Sequence, residues 1–203
     1  MPEILLGLAA VIIGYLLGSI PTAYIIARLT KGVDIRKVDT GNVGTASTMR
    51  AIGVWQGFVV GIVDIGKGAA AVFAARALGV EMPWVLGAGF AAFLGHNYPV
   101  YIGFKGGQGA ATMIGVFASL TIWATLAACA IIVSIMVINR RVILFRIFFS
   151  LLLGGPTLPI FIWIFDRDWI LVVYSVVFIL FMIAKNWRSV KSPRNPRKLR
   201  EEP

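Results

Sequence analysis

Long stretches of this chain carry no charge, and that feature restricts the fold more than any other. No Asp, Glu, Lys or Arg occurs in residues 4–27, 82–104, 106–139, 147–165 or 169–184. A helix rises about 1.5 Å per residue, so about 20 apolar residues cross roughly 30 Å of hydrocarbon. Several of these runs reach that length. Residues 51–75 are interrupted by Asp64 and Lys67, one helical turn apart, and count as a further span with an internal charged pair. With 59% hydrophobic and 14% charged residues in a chain of 203, the balance points to a multi-span, all-α integral membrane protein rather than a soluble domain. The first run follows Glu3 rather than a basic segment, so it reads as a retained helix and not a cleaved signal.

The formal charge is +10, and in a membrane protein such an excess marks cytoplasmic loops rather than nucleic-acid contacts. Anionic lipid headgroups are the second explanation. Simple counting of the apolar runs leaves Arg140, Arg141, Arg146 and the basic tail outside, against the positive-inside rule. Folding 106–139 as two helices, one to about Ser119 and one from about Ile122, removes the conflict and gives about seven membrane segments. With the N-terminus outside, the inner side collects Arg28, Lys31, Arg36, Lys37, Arg50, Lys105, Arg140, Arg141, Arg146 and the tail cations. The outer side keeps Arg76 and Arg167 against Glu3, Glu81, Asp166 and Asp168. The expected organisation is one membrane domain over 1–184, with inner loops near 29–50, 99–109 and 139–146, and a basic cytoplasmic tail over 185–203.

Two inner loops have the composition of anion receptors. The first, KGVDIRKVDTGNVGTASTMR, has glycine, asparagine and small hydroxyl residues that favour turns with exposed N–H groups over a packed helix, and Arg36 and Arg50 flank those turns. The second, FKGGQGAAT, sets Lys105 beside Gly106, Gly107 and Gly109 just before a short helix, where free N–H groups and the helix dipole attract anions. Both on one surface suggest a site for a phosphorylated molecule; the competing reading is that the glycines serve tight turns and close helix packing.

Other signals weigh less. GIVDIGKG at 61–68 approaches a nucleotide P-loop, but Gly68 replaces the Ser or Thr and no strand precedes it. Asp64 and Lys67 read first as a structural buried pair and second as substrate contacts. His96, the only histidine, has no acid nearby in sequence, which favours a hydrogen-bonded packing role over acid–base chemistry. Ser19, before Pro21, is explained by a helix kink. A lone cysteine, Cys129, and scattered carboxylates give no metal-ligand spacing, and no cofactor is expected.

At these residues the chain resembles the bacterial membrane glycerol-3-phosphate acyltransferases that use acyl-phosphate as donor, the PlsY family. The matching segments are GSIP at 18, GVDIRKV at 32, GNVG at 41 with Arg50 after it, DIGKG at 64 and GHNYPVYIGFKGGQGAAT at 95, in the family's order and at similar spacing. The resemblance implies a protein of the bacterial cell membrane with its site at the cytoplasmic face. It implies acyl transfer from acyl-phosphate to the sn-1 hydroxyl of glycerol 3-phosphate, giving lysophosphatidic acid and phosphate. Carried over, Thr40, Asn42, Gly44 and Arg50 would hold a substrate phosphate. Lys105, Gly106, Gly107, Gln108 and Gly109 would form a second phosphate loop, supported by His96 and Asn97. Ser19, Arg36, Asp64, Lys67, Arg146 and Asn186 are further candidates.

The family pattern is not matched throughout. A lysine usually stands at Gln108, so the loop lacks one cation aimed at phosphate. Serines usual after the inner basic pair are replaced by RRVILFRIFF, where Arg146 either restores charge or blocks the site. In AKNWRSVK Asn186 is the one residue that corresponds to the family's tail motif, whose histidine is missing. Two expectations follow: an active acyltransferase, its partners being the two substrates and membrane lipids, or a catalytically degenerate relative with a lipid-binding or scaffolding role in a larger membrane complex.

Overall fold

The structure is a computed structural model that describes residues 2–39, 41–138 and 155–191. Among these residues every regular element is helical and no strand occurs. Helix α1 spans Pro2–Ser19, α2 Thr22–Lys31, α3 Thr45–Ala51, α4 Val54–Ala77 and α5 Met82–Asn97. After them come α6 Ala110–Leu120, α7 Ile122–Ile138, α8 Thr157–Phe165 and α9 Trp169–Lys191. Short 3-10 turns at Ile35–Lys37 and Val100–Ile102 sit in the two connecting loops. The stretches Glu3–Lys31 and Val54–Ala77 are long and apolar enough to cross a membrane; Ala110–Leu120, Ile122–Ile135 and Trp169–Lys185 are shorter apolar helices.

The chain divides into two units, one within residues 2–116 and one within 117–185. In the first, α1 is built inside out: Gly7, Ala10, Gly14 and Gly18 are buried, while Ile4, Leu5, Leu8, Ile12 and Leu16 are exposed. Their spacing of three and four residues puts the small residues on one face. That face lies against α5, so closely that a Cβ on Gly18 would collide with the Ala92 carbonyl. Small residues allow such approach where lipid, not water, surrounds the helices. Beneath the loops, Ala23 and Ala27 of α2, Val60 of α4, Ile35 and Val43 of the first loop and Ile102 of the second form one buried cluster. Both loops are thereby fastened to the helices.

The second unit packs α7 against α8. Phe117, Tyr174 and Phe178 form an aromatic group with ring centroids 4.8–5.5 Å apart. The Thr121 hydroxyl donates to Asp166, and Asp168 Oδ1 accepts from the N–H groups of Ile170 at 2.8 Å and Leu171 at 3.2 Å, capping α9.

Several expectations shift. The expected division of 106–139 is present, α6 ending at Leu120 and α7 starting at Ile122. The first apolar run is two helices, because Pro21 has no N–H to continue α1; α2 starts after it and runs to Lys31, beyond the expected loop boundary. Residues 45–51, expected as turns, form α3: Thr48 is buried and its hydroxyl donates to the Gly44 carbonyl at 3.0 Å, and the helix packs on α4. The apolar run 82–104 is helical only to Asn97, with Pro99 excluding a longer helix. Helix α9 continues to Lys191, past the boundary expected at 184. Thr40 and Arg146 lie outside the described residues, as does the side chain of Asn186.

Candidate active site

The first loop is organised by carboxylates. Gly32, at φ 68°, ends α2, and its N–H donates to the Arg28 carbonyl. Asp34 then caps the 3-10 turn, its Oδ1 accepting from the Arg36 N–H at 3.0 Å. Arg36 donates Nε to Oδ1 at 3.0 Å and Nη2 to Oδ2 at 2.7 Å of the same residue. Its Nη1 donates to the Ile102 carbonyl at 3.1 Å, and its guanidinium lies 5.0 Å from the Tyr24 ring centroid. These bonds make Arg36 a strut between the two loops. The Arg36 hydrogen bonds hold the Asp34 carboxyl down at about 2, against the opposing effect of burial, and the pair raises the Arg36 guanidinium.

Arg50, in the last turn of α3, is tied back to the first loop. Its Nη2 donates to Asp39 Oδ2 at 2.6 Å, and Ser47 Oγ donates to that oxygen at 2.9 Å. Asn42 is half-buried. Gly44 is the N-cap of α3, and its carbonyl accepts from both the N–H and the hydroxyl of Thr48 at 3.0 Å. Gly44 therefore has a structural task in addition to the one implied by the resemblance.

The second loop leaves α5 through His96 and Asn97, both buried. Asn97 Nδ2 donates to the Phe93 carbonyl at 2.8 Å, one turn back. The chain returns so that the Gly107 N–H donates to the His96 carbonyl at 3.1 Å. A Cβ at Gly107 would collide with His96 Nε2 and press on the Val43 carbonyl, so only glycine fits between the two loops. Gly109, at φ 86°, precedes α6. Lys105 is exposed and makes no hydrogen bond or ion pair among the described residues; Gln108 is half-buried. The N–H of Gly107 is already used, so this loop offers fewer free donors than its sequence suggests.

Beneath the loops lies a buried ionic group. Asp64 Oδ1 is 2.9 Å from Lys67 Nζ and 3.7 Å from His96 Nδ1. The Lys67 contact is an ion pair rather than an aligned hydrogen bond, because Oδ1 lacks hydrogen-bond geometry to any described group. Lys67 also donates to the Ile20 carbonyl at 3.0 Å, at the break between α1 and α2, where the same oxygen accepts from the Thr22 N–H at 3.0 Å. These groups border a small, partly open cleft whose wall includes Pro21, Thr22, Val43, Pro99 and Gly106. Ser19 is fully buried beside Gly95, and its hydroxyl has no hydrogen-bond partner among the described residues.

The structure thus brings together Asp64, Lys67, His96, Gly106 and Gly107, and links the first and second loops through Arg36. Asp39 is a residue the sequence reading passed over, although an acid beside a glycine-rich loop with a nearby arginine is a signal of pairing. His96 does have an acid beside it, supplied by another helix, which no spacing along the chain reveals. Among the described residues no group of three or more His, Cys, Asp or Glu side chains is arranged to hold a metal ion.

Comparison with known proteins gives a consistent answer. The family model described as glycerol-3-phosphate acyltransferase matches residues 8–194. The glycerol-3-phosphate acyltransferase of Geobacter sulfurreducens is 37% identical over 182 residues, covering 90% of this chain and 91% of that protein. The Thermosynechococcus vestitus protein of the same name is 35% identical over 198 residues, covering 93% and 91%. The crystal structure of PlsY (YgiH), an integral membrane glycerol 3-phosphate acyltransferase, in its glycerol 3-phosphate form superposes with a TM-score of 0.79 at 30% identity, covering 93% of this chain and 94% of the other. Its lysophosphatidic acid form gives 0.77 at 27% identity, covering 97% and 99%. With matching sequence, length and helical fold, the chain belongs to the glycerol-3-phosphate acyltransferase family, PlsY.

Proposed function

We propose that this protein transfers a fatty acyl group from acyl-phosphate to the sn-1 hydroxyl of glycerol 3-phosphate, yielding lysophosphatidic acid and inorganic phosphate. The observation that carries the reading is the pairing of two cation-bearing loops, Arg50 on one and Lys105 on the other, with Arg36 bonded across to Ile102. Both substrates carry phosphate, and two fastened loops supply two places for it. The site faces the cytoplasmic side of a bacterial cell membrane, a placement supported by the excess of cations on one set of loops. The names of the relatives give the scaffolding reading no support.

The chemistry asks little of the protein. Acyl-phosphate is already activated: the acceptor oxygen attacks the acyl carbon, the bond between that carbon and the bridging oxygen breaks, and phosphate leaves with the electron pair. The hydroxyl proton passes to a phosphate oxygen of the acceptor. Catalysis then consists of positioning and of stabilising charge on the departing phosphate. Arg50, Lys105 and the N–H groups of Gly106, Gln108 and Gly109 serve that purpose, with Asn42 of the first loop as a further contact. Asp64, Lys67, His96 and Asn97 support the loops from below. Arg50→Ala is expected to raise KM for glycerol 3-phosphate about tenfold or more, the effect of losing a charged hydrogen bond. An unchanged KM in steady-state assays removes Arg50 from the acceptor site.

A further inference from the structure

Arg50 is not an open guanidinium in this structure. Its Nη2 donates to Asp39 Oδ2 at 2.6 Å, and its Nε lies 3.2 Å from Oδ2 and 3.3 Å from Oδ1. The Nε–Nη2 edge is one of the two-donor edges with which arginine takes a carboxylate or a phosphate. That edge is filled by a residue of the protein's own first loop.

Asp39 is held in place for this contact. Its backbone is left-handed at φ 51°, uncommon for a residue with a side chain, although aspartate tolerates it better than most. The Gly41 N–H closes a turn onto the Val38 carbonyl at 3.0 Å, and Ser47 Oγ donates to Asp39 Oδ2 at 2.9 Å. The Asp39 and Arg50 side chains nevertheless keep 20% and 24% of their surface exposed. Water therefore reaches both partners, and an anion arriving from that side can compete for the same edge of Arg50.

We infer that Asp39 is a resident competitor: its carboxylate occupies the edge of Arg50 that the acceptor's phosphate takes, and binding requires the phosphate to displace it. The inference rests on the reading of Arg50 as a phosphate-binding residue. Its consequence is selectivity. An uncharged polyol has nothing with which to displace a carboxylate from an arginine, whereas a phosphate brings more charge and more acceptor oxygens. Asp39 thus raises the threshold for occupancy of the site and sets the acceptor's KM.

The test uses the full chain in nanodiscs, unmodified and as Asp39→Asn and Asp39→Gly. Asn keeps the side chain's shape without its charge, and both residues accept the left-handed backbone. With acyl-phosphate saturating, the expected result is a KM for glycerol 3-phosphate about two- to fivefold lower in both variants with kcat unchanged, the change an exposed ion pair's removal gives. The Kd of inorganic phosphate, measured by calorimetry, should fall by a similar factor. A KM and Kd that stay the same or rise overturn the inference, and a rise assigns Asp39 to orienting Arg50 instead. Lack of glycerol 3-phosphate-dependent turnover in the unmodified protein counts against the proposed function, whereas the calorimetric comparison decides the role of Asp39 in either case.

Discussion

Arg36 shows how one side chain can join two loops that are distant in sequence. Two of its bonds go to Asp34, a third reaches the Ile102 carbonyl and its face lies over Tyr24. Because the folded state lowers the Asp34 carboxyl from 3.8 to about 2, deprotonated Asp34 stabilises the fold above the unfolded value, and that contribution disappears as pH falls from about 4 to about 2. Asp34→Asn should therefore melt below the parent at pH 6, with the gap closing through that acid window. A gap that stays constant with pH disconnects the charge from stability. Lys67 makes the opposite kind of contribution, within a span. Lys67→Met leaves Asp64 buried without its cation, expected to cost about 3–5 kcal/mol, and replacing both by Leu and Met should recover most of the loss in a double-mutant cycle. Additive losses in detergent melting curves rule out the coupling. The sequence showed Asp64 and Lys67 as a pair because they are one turn apart; it did not show His96 or Asp39 with their partners, because those contacts join different elements.

Among the elements, α1 and α5 depend on small residues more than on large ones. Gly18→Ala forces its methyl group onto the Ala92 carbonyl and should lower the melting temperature. Gly66→Ala, within α4 and with nothing within 4 Å of the added carbon, should be neutral or stabilising by about 0.5–1 kcal/mol from helix propensity. Equal effects on the two melting curves contradict the close approach of α1 and α5. Helix extents were legible where one force dominated. Apolar length marked α4 and the charge argument divided α6 from α7, whereas Pro21 read as a kink within one span and in fact separates α1 from α2. Helix α3 was not legible, because its Thr and Ser residues favour turns locally. Packing on α4 and the bond from the Thr48 hydroxyl to the Gly44 carbonyl override that preference. The same limit applies at Gly107, where the sequence suggests an open N–H and the fold directs it to His96.

For the molecule as a whole, family and helical class were legible because the glycine motifs recur in order along most of the chain, and the family match spans residues 8–194. The electrostatic character of the site was legible only in part. Its cations appear in the sequence, but the carboxylates that hold Arg36 and Arg50 become visible when the loops are folded. Gln108 brings no cation to the second loop, so the proposed function rests on Lys105 and Arg50 as the cations that meet phosphate. If these suffice, the chain is an enzyme as it stands. The direct measurement is phosphate release from palmitoyl phosphate by the purified protein in nanodiscs, with and without glycerol 3-phosphate. Release that depends on glycerol 3-phosphate and is accompanied by lysophosphatidic acid is the predicted result; a folded sample that releases no phosphate beyond the acceptor-free control contradicts it.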